Sequence, residues 1–127
     1  MAENFTQFSE MIECETEEQV QFLLAKLNKK GDSGQCCEAK REGLKDVWIH
    51  SDENPDLEQM VDVLCEFQKK FKLKKPIVIS WAHSCSKPRL SEFGGGAVVI
   101  MRGKEYWIDA ATWAHRQVYK RQKMRKK

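Results

Sequence analysis

Lys87, Arg89, Glu92 and the run Gly94-Gly95-Gly96 crowd into one stretch, SCSKPRLSEFGGGAVVI, residues 84–100. Fourteen residues, His83 to Gly96, separate two apolar runs, far more than a hairpin turn requires. Connections of that length in compact domains are usually functional or disordered. Consecutive glycines allow left-handed backbone, and successive N–H groups in such turns form a nest that attracts phosphate or carboxylate. Lys87 offers a mobile point charge and Arg89 a planar fork, with Pro88 stiffening the chain between them. That chemistry suits a small anion. Trp81 at the entrance and Phe93 inside, with Trp107 expected on a neighbouring strand, could stack a base whose phosphate the cations hold. The candidate ligand-binding set is Trp81, His83, Ser84, Ser86, Lys87, Arg89, Glu92, Phe93, Gly94, Gly95 and Gly96. The competing reading makes Gly94–Gly96 a β-bulge or a close backbone crossing, leaving Lys87 and Arg89 solvated and Glu92 paired with one of them.

Catalytic patterns are thin. His83 and Cys85 alternate along one strand face, a conceivable Cys/His nucleophile pair that Asp109, Glu92 or His50 could orient. Catalytic pairs usually come from separate elements, so a non-catalytic protein is expected. Neither a phosphate-binding G-x-x-x-x-G-K-[ST] loop nor a dinucleotide G-x-G-x-x-G occurs, and no motif calls for a cofactor. Five cysteines lack framework spacing, and Cys36-Cys37 are adjacent where zinc would want C-x₂-C. They read as free thiols, some of them core, with no structural metal.

The tract Ser84-Cys85-Ser86-Lys87-Pro88-Arg89, followed by Glu92-Phe93-Gly94-Gly95-Gly96-Ala97, resembles that of a family of small proteins of phages, prophages and plasmids. The likeness spans about Asp56 to Trp113 and leaves out the N-terminal third. It implies context and not mechanism. Small phage proteins without catalytic residues often act on host defence by binding. The resemblance therefore implies sequestration of a small phosphorylated nucleotide signal in the host cytoplasm by a homo-oligomer. An alternative is an inhibitor of a host defence complex that binds nucleic acid or protein through the basic C-terminal helix.

These residues need a scaffold, and the chain supplies one. At 127 residues it is expected to form a single domain, with hydrophobic residues at 41% and charged residues at 32%. Thr16 and Gln19 match a capping box before Val20, Leu23, Leu24 and Leu27, one helical stripe that Gly31 should end. Gly31 to Gly34 reads as a loop, and Gln35–Arg41 and Leu44–His50 as a hairpin about Glu42-Gly43. Asn54 and Pro55 suit the start of a second helix bearing Leu57, Met60, Val61, Leu64 and Phe71. Strands follow at Ile77–His83, Ala97–Met101 and Tyr106–Ile108, with a turn at Gly103. Asp109 or Thr112 should cap a last helix, and Trp48 and Trp113 read as core. The pattern predicts an α+β fold: a mostly antiparallel sheet with about three helices packed mainly on one face.

Charge divides the chain. Arg116, Lys120, Arg121, Lys123, Arg125, Lys126 and Lys127 follow position 115 with no acid among them. The chain's net +3 minus these seven leaves the preceding residues at −4. Such a basic helix or tail, from about 115, is expected to be solvated. It could also contact nucleic acid through Arg116, Lys120, Arg121, Lys123 and Arg125. No apolar run has membrane-spanning length, so no membrane partner is expected. The first residues, MAENFTQFSE, lack a secretory pattern, which makes the cytoplasm the expected compartment.

Overall fold

The computed structural model describes residues 4–31, 34–51, 55–86 and 93–125. The elements are β1 (Asn4–Glu13), α1 (Glu17–Leu27), β2 (Lys30–Gly31), β3 (Gly34–Gln35), β4 (Glu38–Glu42) and β5 (Asp46–Ser51), then α2 (Leu57–Lys70), β6 (Ile77–Cys85), β7 (Gly94–Met101), β8 (Lys104–Asp109) and α3 (Ala110–Arg125). Six strands form one sheet in the order β4-β5-β1-β6-β7-β8, every neighbour antiparallel, and β2–β3 is a separate two-stranded ribbon. The fold is α+β, as the sequence pattern predicts.

The α1 and α2 stripes explain the layering. Val20, Leu23 and Leu27 of α1 and Met60, Val61, Leu64 and Phe67 of α2 pack on Phe8, Ile12, Val47, Ile49, Ile79, Val98 and Ile100. These strand positions alternate, so one face of the sheet is buried and the other left open. Thr16 accepts from the Gln19 N–H at 3.2 Å, and the Gln19 side chain accepts from the Glu15 N–H at 2.7 Å. The capping box thus closes one residue ahead of the cap.

Several boundaries differ from expectation. Asn28 ends α1, because its amide both accepts from the Ala39 N–H at 3.0 Å and donates to the Ala39 carbonyl at 2.8 Å. That leaves Gly31 free to enter the ribbon. The first hairpin strand splits after Gln35, and its turn is Gly43 to Lys45, with Gly43 at φ +67°. Asp56 caps α2, its carboxylate accepting from the Gln59 N–H at 3.0 Å, while Asn54 lies outside the described residues. Trp48 is half-buried on the open face and Trp113 is exposed, so neither is core.

Two joints fix the β6–β8 half. Arg102 (φ 52°) and Gly103 (φ 80°) link Met101 to Lys104 in a two-residue turn with both central residues left-handed, the geometry that matches strand twist. Buried Gln68 binds that turn: it accepts from the Gly103 N–H at 2.9 Å and donates to the Ile100 and Lys75 carbonyls at 2.9 and 3.2 Å. Among the described residues, no helix is long and apolar enough to cross a membrane.

Candidate functional site

The glycine run stands in β7, not in a turn. Gly96 pairs with Trp81, Gly95 with Ala82 and Gly94 with His83. Strand N–H groups point alternately to opposite sides, so the nest expected at Gly94–Gly96 does not form. The competing close-approach reading describes the geometry: a Cβ on Gly95 would meet the Trp81 carbonyl at 2.6 Å. One on Gly96 would stand 2.4 Å from the Ile108 carbonyl and 2.6 Å from Trp81 Cζ2.

The missing side chain at Gly96 creates a site. Trp81 and Trp107 sit on β6 and β8, two strands apart, roughly 9–10 Å in a sheet. Both point to the helix-covered face, and over Gly96 their ring centroids come within 5.6 Å at an interplanar angle of 61°. The Trp107 indole N–H donates to Glu105 at 3.0 Å, which fixes its ring. Trp113 and Arg116, one helical turn apart on α3, complete a cavity of about 180 Å³ with Ile108, Asp109 and Thr112. Asp109 places α3 at this spot: its carboxylate accepts from the Thr112 N–H at 2.8 Å and from the Thr112 hydroxyl at 2.9 Å. Those bonds, the backbone one foremost, hold its pKa below the ordinary aspartate value.

The expected residues divide. Trp81 lines this cavity, and Gly94, Gly95 and Gly96 stand beside it in β7, Gly96 paired with Trp81. His83 lies farther along β6, its Nδ1 2.7 Å from the Thr6 hydroxyl. Ser84 pairs with Phe5 on β1, Ser86 follows β6, and Phe93 is exposed before β7. Lys87, Arg89 and Glu92 lie outside the described residues. Of the basic positions, Arg116 lines the cavity and Lys120 and Arg121 are exposed, while α3 runs on through Lys123 and Arg125.

Among the described residues, neither Asp109 nor His50 joins the Cys/His pair, and Glu92 lies outside them. Asp109 is engaged with Thr112, and His50 stacks on Trp48 at 3.8 Å with its Nε2 3.5 Å from Glu38 on the far side of the sheet. All five thiols are free, with Cys36, Cys37 and Cys65 buried. No group of three or more potential metal ligands converges among the described residues.

The chain matches no known family model, no curated protein and no solved structure.

Trp107, Ile108, Asp109, Thr112, Trp113 and Arg116 are the lining residues that the loop-centred reading leaves out of its ligand set. A signal for Trp113 existed. The stretch from Ala110 onward carries no i, i+3, i+4, i+7 apolar stripe, so a tryptophan there has no core of its own to enter. A second cavity, about 170 Å³, opens where β1 and β6 part. Their backbone register ends at Gln7 and Ala82, and farther on the Glu10 carboxylate accepts the Ser80 N–H at 3.4 Å. Its rim carries Glu13, Glu15 and Lys75, and Lys75 is already bound to Glu13 at 2.6 Å. That rim leaves no spare cation for an anionic ligand.

Proposed function

We propose that this protein is a non-catalytic binder of a small phosphorylated nucleotide. The base would lie among Trp81, Trp107 and Trp113, and the phosphate would meet Arg116. One observation carries the reading: three indoles and a guanidinium line a single cavity at the glycine-thinned end of the sheet. Indoles stack any base, and arginine forks phosphate oxygens in two parallel bonds. The Asp109 carboxylate, held by Thr112, keeps acceptor capacity for a ribose hydroxyl or an exocyclic amine. At about 180 Å³ the cavity suits a base, with the phosphate outside at the rim. The resemblance to small phage and plasmid proteins supports sequestration of a host-defence signal as the purpose of the binding.

Calorimetry with cyclic oligonucleotides and cyclic ADP-ribose isomers tests this. Saturable binding to one of them, lost in Trp107→Ala, is expected. No heat and no thermal shift with any, at millimolar ligand, overturns it.

A second reading rests on α3, which carries exposed Lys120 and Arg121 and no acid. It is a nucleic-acid or protein contact, whose mark would be DNA affinity that falls steeply with salt.

A further inference from the structure

The open face of the sheet has an ordered composition. Cross-strand pairs Tyr106–Val99 and Val99–Val78 continue one apolar row, and Met11–Trp48 extends the same face on the other side of the β1–β6 cleft. Met11, Val78 and Tyr106 are 50%, 54% and 57% exposed. Beside them Glu42 stands directly opposite Asp46, and Asp46 opposite Glu13. Like charges facing one another across strands are unfavourable without a cation between them. Only Glu13 of the three has an ion-pair partner among the described residues. Both α1 and α2 pack on the other face, so among the described residues no helix covers this one.

α3 has the opposite deficit. Trp113 and Gln117, four apart, face its own cavity and sheet, Gln117 being the least exposed of the helix's described side chains. Ala111, His115 and Val118, at i, i+4 and i+7, form the far side of the helix, and Arg121, four residues after Gln117 and three after Val118, stands between the two sides. Arg116, Lys120 and Arg121 have no ion pair among the described residues. A helix with so little packing is marginal alone. Nor can it fold over its own open face, because α3 follows β8 with no residue between them.

A helix with one unpacked side and a sheet with one unpacked face, with opposite charges, are complementary parts. We infer that α3 of a second copy of this chain packs across the open face. Val118 lies on the apolar row and Arg121 reaches the Glu42–Asp46 acids. The exchange is reciprocal, as closed twofold symmetry requires.

Sedimentation equilibrium on the full chain tests the inference. The expected mass is twice the 14.8 kDa of one chain. Val118→Glu and, separately, Asp46→Lys should each return the monomer. Arg121→Asp should do the same, and combined with Asp46→Lys it should restore the dimer. Asp46→Lys relieves repulsion within the monomer, so a folding defect does not explain a loss of mass, and circular dichroism checks each variant. A wild-type monomer at every attainable concentration overturns the inference. So does a dimer that survives Val118→Glu, or a monomer whose α3 is protected only on adding duplex DNA. None of these outcomes depends on nucleotide binding.

Discussion

The indole of Trp81 lies over Gly96, its directly paired neighbour on β7, at a place where a single methyl group would stand 2.6 Å from Cζ2. Gly96→Ala should therefore force the ring or the strand to move. The expected loss is about 1–3 kcal/mol in chemical denaturation, the usual result of overpacking a well-filled site. Indole emission should change as well, because the Trp81–Trp107 contact depends on that gap. Gly43→Ala is the contrast. It has open space but φ +67°, so about 1 kcal/mol should be lost with emission unchanged. Unaltered emission in Gly96→Ala would show that the glycine does not set the ring geometry.

Gln68 is 1% exposed and uses its amide on three backbone groups, the Gly103 N–H and the Ile100 and Lys75 carbonyls. Gln68→Leu keeps the volume and leaves these groups without that partner. Each buried unsatisfied group costs about 1–3 kcal/mol. Partial solvation of the turn reduces the sum, and a loss of about 2–4 kcal/mol is expected from urea unfolding. The effect should concentrate in the β7–β8 turn, seen as faster amide exchange at Gly103.

How much of this was legible follows residue type. Apolar periodicity located α1, α2, β6 and β7, since Val20–Leu27, Leu57–Leu64, Ile77–Ile79 and Val98–Ile100 bury the faces their spacing predicts. Boundaries set by side-chain bonds to distant backbone were not legible. Nothing local makes Asn28 a better stop than Gly31 until Ala39 is placed opposite it. The site failed differently. Glycines signal either a left-handed turn or a close approach, and sequence cannot choose between them without the partner strand. Pairing with Trp81 decides it, and moves the candidate site from the loop to the rings beside it.

Asp109 links pH to α3. Its pKa is depressed by the bonds from Thr112, so its contribution is complete above the unfolded value, about 3.9, and is lost as pH falls through the lower folded value. Ellipticity at the helix wavelength should thus hold down to about pH 4 and decline below it. Asp109→Ala should show reduced helicity already at neutral pH and lack this acid step. An acid decline of equal size in the variant would assign it to other carboxylates.

Arg116 and Arg121 separate the small-ligand site from the outer surface of α3. Arg116 lines the tryptophan cavity and Arg121 does not. Five residues turn a helix through roughly 140° beyond a full circle, so the two guanidinium groups leave it on different sides. A charge-assisted hydrogen bond contributes about 1.5–3 kcal/mol, so Arg116→Gln should weaken nucleotide binding at least about tenfold. Arg116→Lys should recover only part of it, because the charge stays and the fork is lost. Arg121→Gln should leave nucleotide affinity intact. If α3 also contacts nucleic acid, that variant should lower DNA affinity and reduce the salt slope by about 1. Titration calorimetry with the nucleotide and fluorescence anisotropy with labelled DNA read the two effects independently. Equal nucleotide affinity in Arg116→Gln and wild type would remove Arg116 from the phosphate role and leave the tryptophans as a site for an uncharged aromatic ligand.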